Sequence, residues 1–235
     1  MLKPMRPIEL LWLFGVPTAL NTVACRVAIP ALHARGFFPI EVTYFLCVGL
    51  LVLAPMFVWA VRMSAKEAPG TRTRGVLSRM RVKPIRGREW AWTLGTFLVL
   101  STASYLIAAR LLPRLGLDAI PFFFRNMPLG PGHRWILAVW PVFFFFNIFG
   151  EEFFWRGYIQ PRQELLNGRW TWLVQGLLWA GWHVPMGLDL IVASLPIFFL
   201  LPAVVQVRRN TSIAIVVHAL FGAFGFLALA LGLLR

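Results

Sequence analysis

Three charged side chains stand directly after a run of aromatic residues in the middle of the chain. Glu151, Glu152 and Arg156 follow Phe143-Phe144-Phe145-Phe146, a segment suited to hydrocarbon. An ionised side chain at the centre of a bilayer costs about 2.5 to 3.5 kcal/mol on insertion scales, so three in one segment indicate a use for them. Helical residues four apart share a face, so we predict that Glu152 pairs with Arg156. Glu151 lies about 100° away round the helix and can face a cavity.

A purely structural explanation competes with this one. A buried ion pair can serve only to fix how helices pack. Packing alone does not require a second glutamate beside the paired one, and this favours a functional site.

The rest of the chain has the composition of an integral membrane protein. Of its 235 residues 59% are hydrophobic, whereas soluble domains are about 45–50% apolar. Backbone groups in lipid must be satisfied within their own segment, so each apolar run long enough to cross the bilayer should be a helix. We therefore predict an all-α, polytopic transmembrane helix bundle of about seven spans, with an eighth or a split helix compatible with the narrow division at Gly187-Leu188-Asp189. The predicted spans lie near residues 8–31, 38–62, 91–112, 135–159, 171–188, 189–207 and 211–234.

Basic residues predict which ends of the spans face the cytoplasm. Nine of the 23 Lys and Arg lie in the connector 62–88, and placing it in the cytoplasm gives 15 basic residues inside against six outside. By the positive-inside rule the N-terminus, 62–90 and 160–170 are cytoplasmic, and 113–134 is outside. The same rule explains the net charge of +14, so we expect membrane lipids as partners and no nucleic acid. The default location is a bacterial inner (plasma) membrane.

Two histidines lie in later spans at a depth similar to that of the glutamates. Counted from the predicted cytoplasmic ends at 1.5 Å per residue, Glu151 lies about 13 Å deep, His218 about 12 Å and His183 about 20 Å. A lone histidine in a membrane helix usually bonds a neighbouring helix. Three spans that deliver Glu, His and His to one layer instead predict a polar cavity in the cytoplasmic half.

Two kinds of hydrolytic chemistry use such a set. A carboxylate and a neutral imidazole can bind a water and accept its proton, while a second imidazole donates to the oxyanion that forms. Alternatively, Glu151, His183 and His218 can bind a divalent metal such as zinc and leave positions open for water. The sequence does not separate the two. It lacks the His-Glu-x-x-His pattern of zincins and has no obvious serine or cysteine nucleophile.

Three ordered motifs resemble the CPBP family, the CAAX prenyl endopeptidases and bacterial self-immunity or bacteriocin-processing (Abi) proteins. They are Glu151-Glu152-x-x-x-Arg156, an aromatic residue four before a histidine (Trp179 to His183), and the late histidine His218.

This resemblance covers about residues 135–235. It assigns 91–235 to a CPBP-like intramembrane protease domain, preceded in 1–90 by two spans and the basic connector. It implies a helical fold with a water-accessible cavity and peptide hydrolysis near the inner leaflet.

The resemblance also implies roles for the site residues. Glu151 would activate water with His183, Glu152 and Arg156 would shape the site, and His218 would belong to the oxyanion site. We therefore take all five as candidate catalytic residues.

Two positions depart from the family pattern. The family often has asparagine or aspartate four residues after the last histidine, where this chain has Gly222. Loss of one oxyanion donor typically costs about 10²–10³ in rate, and Asn147 is a candidate replacement. Trp179 stands where phenylalanine is common, which we interpret as a mild change that keeps an aromatic wall.

Three functions compete on this sequence. The leading hypothesis is an intramembrane endopeptidase that acts on a membrane-associated peptide or protein. A non-catalytic immunity or scaffold protein with the same fold is the second, motivated by Gly222. The third is a proton-coupled transporter, whose relay would also use intramembrane Glu, Arg and His, although no inverted repeat is visible.

Overall fold

The structure, a computed structural model, describes residues 2–68, 73–118 and 120–233. Every regular element within these ranges is helical, which confirms the predicted all-α fold. Arg72 of the basic connector and the last residue of the predicted seventh span lie outside the described residues. The helices are α1 (Pro7–Ala34), α2 (Ile40–Lys66), α3 (Thr73–Arg79), α4 (Arg88–Arg114), α5 (residues 136–167), α6 (Thr171–His183), α7 (Leu188–Ala193), α8 (Leu195–Arg208) and α9 (Thr211–Ala230).

Five helical stretches of the described chain are long and apolar enough to cross a membrane. Four of them are α1, α2, α4 and α9, and the fifth is the 51-residue stretch Ile136–Met186, which contains α5 and α6. The predicted sixth span is a split helix, because α7 ends before Ser194 and the 14-residue α8 begins after it. The membrane-spanning character is therefore clear, while the total of seven spans stays a prediction.

The stretch Ile136–Met186 reverses direction at Gly168. This glycine has φ +52°, a conformation that costs residues with a Cβ more than it costs glycine. Side chains of α6 then meet α5 in antiparallel order: Trp179 bonds Glu151, and Gln175 bonds the carbonyl of Trp155. The first and second candidate motifs therefore face each other across one helical hairpin.

Ion pairs join the connecting segments at one end of the bundle, which we call the basic end (62–90, 160–170 and 208–212). Arg81 pairs with Glu164 at 2.8 Å, Arg162 pairs with Glu67, and Arg208 pairs with Glu89. These contacts bring together the segments that the sequence predicted to share one side of the membrane.

The opposite end, which we call the far end, is built from the segment 113–134 and the helix ends around it. The Leu129 amide donates to the Ala230 carbonyl at 3.0 Å. Phe123 is buried and stacks on Tyr44 with 3.8 Å between ring centroids, so this phenylalanine packs into the bundle.

Helices α2 and α5 pack closely because small residues face the partner backbone. A Cβ added to Gly150 would lie 2.7 Å from the carbonyl oxygen of Leu53. Since this contact is with backbone, the chain cannot relieve it by turning a side chain. Gly150 immediately precedes Glu151, so the close approach also fixes where the first carboxylate lies.

We predict that Gly150→Ala destabilises the protein by about 1 to 3 kcal/mol, as overpacking a close contact typically does. Thermal unfolding in detergent measures it. The matched control is Gly181→Ala in α6, where an added Cβ meets nothing within 4 Å, so its unfolding temperature should stay the same or rise. Equal unfolding temperatures for the two variants would contradict the packing interpretation.

Candidate active site

Three charged residues of α5 are buried inside the bundle. Glu151, Glu152 and Arg156 are all at most 1% exposed. The helix is π-helical over Phe146–Gly150 and over Glu152–Ile159, a wide geometry that often occurs at functional sites. Arg156 Nη1 lies 3.4 Å from Glu152 Oε1, so the structure forms the ion pair expected from the four-residue spacing.

Arg156 also stacks on an aromatic ring of α6. Its guanidinium carbon lies 3.4 Å from the ring centroid of Trp179. None of the three guanidinium nitrogens has a hydrogen-bond partner among the described residues. The buried cation is therefore stabilised by the charge of Glu152 and by the face of the indole, an arrangement that gains strength when water is absent.

Both oxygens of Glu151 accept hydrogen bonds. The side-chain amide of Asn147 donates to Oε1 at 3.0 Å, and the indole N–H of Trp179 donates to Oε2 at 2.6 Å. Asn147 therefore orients the glutamate with one N–H, and since its amide has a second N–H and lines the cavity, its role as an alternative oxyanion donor stays a prediction.

Trp179 has a role that the sequence did not predict, because it donates a hydrogen bond to Glu151. A phenylalanine at this position could form an aromatic wall but could not donate to Glu151. The signal was present in the sequence, because indole N–H is a donor that needs an acceptor when it is buried.

His218 of α9 contacts the second glutamate. Its Nδ1 lies 2.8 Å from Glu152 Oε1. A carboxylate only accepts, so Nδ1 carries the proton and Nε2 is the nitrogen left for other partners. Glu152 thus joins the arginine of its own helix to the histidine of another.

His183, at the end of α6, has the same orientation of its ring nitrogens. Nδ1 lies 2.8 Å from the backbone carbonyl of Trp179, which can only accept. In the neutral ring Nε2 is then a free acceptor. The Trp179 ring lies beside both imidazoles, with 5.6 Å between its centroid and that of His183 and 5.8 Å between its centroid and that of His218.

One cavity of about 230 Å³ brings the candidate residues together. Glu151, His183 and His218 all line it, together with Trp179. Glu152 and Arg156 do not line it and lie behind this layer, where they contact His218 and Trp179.

The cavity extends beyond the half of the bundle in which we predicted it. We expected it in the half that carries the basic connector, but its lining continues from Glu151 toward the far end, to Pro121 and Leu229. The physical reason is that the basic half is filled by side chains such as Trp155 and Ile159, both fully buried.

The same residues can be tested as a metal site. Each histidine has its Nδ1 bonded to an acceptor, as metal-binding histidines usually do. However, no three His, Cys, Asp or Glu side chains within the described ranges are arranged to bind a metal ion. The set Glu151, His183 and His218 does not fit a three-ligand centre here. Metal binding stays a prediction, and the reaction proposed below uses no metal.

Gly222 lines the cavity, so a side chain there would reach the site. A Cβ at this position would lie 3.4 Å from Phe144 and 4.0 Å from Ile148, which are ordinary contacts. The structure therefore has room for the Cβ of the asparagine or aspartate that the family often has at this position.

We predict that Arg156→Ala destabilises the protein by about 3 to 5 kcal/mol, because Glu152 loses the cation that balances its buried charge. Thermal unfolding measures this. Arg6→Ala is the control, since Arg6 pairs with Glu9 on an exposed face, with side chains 74% and 42% exposed, and its loss should change little. If the two variants unfold at the same temperature, the buried pair does not stabilise the fold.

Residues 133–224 match the family described as type II CAAX prenyl endopeptidase Rce1-like. Searches of curated proteins and of solved structures gave no match. The matched region contains Glu151, Glu152, Arg156, His183 and His218, the five residues that carried the resemblance. Residues 133–224, less than half of the chain, are therefore similar to the Rce1-like CAAX prenyl endopeptidases, in agreement with the CPBP resemblance seen in the sequence.

Proposed function

We propose that this protein is an intramembrane endopeptidase that hydrolyses a peptide bond with a water activated by Glu151 and His183. The observation that carries the proposal is the single cavity lined by Glu151, His183 and His218, which come from three different helices. A carboxylate and two imidazoles in one recess are a sufficient set for acid–base hydrolysis.

In the proposed reaction the water lies between Glu151 and His183. The water oxygen attacks the carbonyl carbon of the substrate, and the water proton passes to the carboxylate or to the free Nε2 of His183. The resulting tetrahedral intermediate collapses when this proton is given to the leaving amine. The products are a new carboxylic acid and a new amine, which exchange the remaining water proton to become a carboxylate and an ammonium group, and both side chains return to their starting state.

His218 supports the charge that develops during the attack. Its Nδ1–H is bound to Glu152, so a protonated ring can donate through Nε2 to the oxyanion while the carboxylate stabilises the imidazolium. Arg156 keeps Glu152 next to a positive charge and stacks on Trp179, and it acts on the reaction through these two neighbours.

The surroundings suggest the substrate and the location. The protein spans a membrane, so the substrate is a membrane-associated peptide or protein and lipids are its constant partners. We place it in the inner (plasma) membrane with its N-terminus in the cytoplasm, which follows from the 15-to-six asymmetry of basic residues.

Glu151→Gln should lower peptide cleavage by about 10² to 10⁴, the usual loss when a general base is removed. We also expect Glu151→Gln to lower the free energy of unfolding by about 1 to 3 kcal/mol. The glutamine amide has only one oxygen, whereas Asn147 and Trp179 each donate to an oxygen of Glu151. Cleavage of a membrane-peptide library by purified protein measures the rate, below the unfolding temperature of the variant.

Glu9→Gln is the matched control. It makes the same chemical change on an exposed residue that does not line the cavity, so cleavage should be unaffected. Full activity in Glu151→Gln would show that this carboxylate is structural and would remove the basis of the proposed reaction.

Gly222 supports a second candidate, a non-catalytic immunity or scaffold protein that keeps the fold. Gly222→Asn distinguishes the two, because it restores a donor in a position with room for it. If the oxyanion site is catalytic but incomplete, turnover should rise, by up to about 10²–10³. If the wild type does not cleave and Gly222→Asn folds normally but does not cleave either, the non-catalytic candidate is supported.

A further inference from the structure

A groove separates α1 from α2 in the half of the bundle nearer the basic end. The two helices pack together where residues 24–28 meet residues 45–53, and the groove lies between that contact and the basic end, with α5 as its floor. Its apolar part is a hollow of about 370 Å³, and no charged residue is among the described residues that line it. The lining includes Val16, Pro17 and Leu20 of α1, Val52 and Pro55 of α2, and Phe154 of α5.

The groove continues into a polar mouth at the basic end. The mouth is a second hollow, of about 390 Å³, and it shares Trp12, Leu13 and Trp59 with the apolar part. From Val52 to Glu67, which line opposite ends of the groove, α2 rises about 22 Å at 1.5 Å per residue. A bilayer with its headgroups is about 40–45 Å thick, so the groove matches the depth of one leaflet.

Ion pairs leave one uncompensated charge at the mouth. Glu9 pairs with Arg6 at 2.8 Å, and Glu67 pairs with Arg162. Lys3 also lines the mouth, where it is exposed and has neither an ion pair nor a hydrogen bond with any residue that the structure describes. The mouth therefore presents a single positive charge, which the phosphate of a lipid headgroup would balance.

Two tryptophans mark the junction between the polar and the apolar parts. Trp12 is 64% exposed, and Trp59 faces it from α2 across the groove. Tryptophan is enriched in membrane proteins at the boundary between headgroups and acyl chains. This places the mouth at the level of the headgroups and the apolar part at the level of the chains.

We propose that this groove binds one anionic phospholipid, with its phosphate at Lys3 and one acyl chain along the apolar part. A headgroup with one net negative charge balances Lys3. A zwitterionic headgroup adds an ammonium group, for which both carboxylates of the mouth are already paired. The chain gains packing contacts in a recess formed by residues such as Val16 and Phe154. In the orientation predicted from the basic residues, the lipid belongs to the cytoplasmic leaflet.

This site is separate from the candidate active site. Glu151, His183 and His218 line neither part of the groove. Lipid binding is therefore tested without any cleavage assay, and it can stand or fail independently of the proposed hydrolysis.

Native mass spectrometry of lipid-depleted protein in detergent measures the binding. Three lipids with identical acyl chains are added in turn: phosphatidylglycerol, phosphatidylethanolamine and diacylglycerol. We expect one phosphatidylglycerol per chain, bound several-fold more tightly than phosphatidylethanolamine, and the weakest binding for diacylglycerol, which has no phosphate. Equal binding of phosphatidylglycerol and diacylglycerol would contradict the proposal.

Lys3→Gln tests the position of the phosphate. It should weaken phosphatidylglycerol binding about fivefold, as expected for the loss of one basic residue near an anionic headgroup. Lys83→Gln is the matched control, because Lys83 is also exposed at the basic end but does not line the groove, and binding should be unchanged. If Lys3→Gln binds as the wild type does, or if both variants lose binding equally, the proposed headgroup position is wrong.

Val16→Trp tests the position of the acyl chain. The larger side chain should fill the apolar part and remove the retained phosphatidylglycerol. Leu11→Trp is the control, since Leu11 lies on the same helix, is 66% exposed and does not line the groove. Unfolding temperatures without added lipid check that both variants fold, and if Val16→Trp does not fold, the Lys3→Gln comparison decides alone. Equal retention by the two folded variants would show that lipid covers the surface without binding in the groove.

Discussion

The buried charge of Arg156 constrains how the helices around it pack. Arg156 is completely buried and has no hydrogen-bond partner among the described residues, so its charge depends on the nearby carboxylate of Glu152 and on the Trp179 ring. A buried charge is costly unless it is paired, and removing either contact would expose that cost. The helical hairpin of α5 and α6 must therefore keep Trp179 directly against the arginine.

This placement of Trp179 has consequences for every group of the candidate site. The face of the indole contacts the arginine, its N–H orients Glu151, and its ring lies beside His183 and His218. The Trp179 backbone carbonyl also fixes which nitrogen of His183 is protonated. One residue thus connects the charge that stabilises the fold with the carboxylate and imidazoles proposed to act on substrate. Rigid support of this kind is what catalytic groups require, since small displacements of reacting groups cost large factors in rate.

The two ends of the bundle use different interactions, and this difference gives the cavity its direction. Ion pairs such as Arg81–Glu164 join the loops of the basic end, and tight packing fills the interior beneath them. At the far end aromatic rings, among them Tyr44 and Phe123, both close the bundle and line the cavity.

The sequence by itself determined the features that depend on local periodicity and composition. Apolar runs predicted the helices, since lipid forces each segment to satisfy its own backbone. The four-residue spacing predicted the contact between Glu152 and Arg156, and the basic residues predicted which loops share an end. Three ordered motifs were enough to recognise a similarity that a family model also finds over residues 133–224.

Only the tertiary structure decided how the helices meet. It showed that His218 bonds Glu152, that Trp179 donates to Glu151, and that the cavity runs to the far end. These features depend on the rotation and relative depth of separate helices, and the spacing within one helix carries no information about either. Depth counted from predicted span ends placed the polar groups in a common layer. It could not show on which side of that layer the bundle is packed solid, because that is set by contacts between residues far apart in the chain.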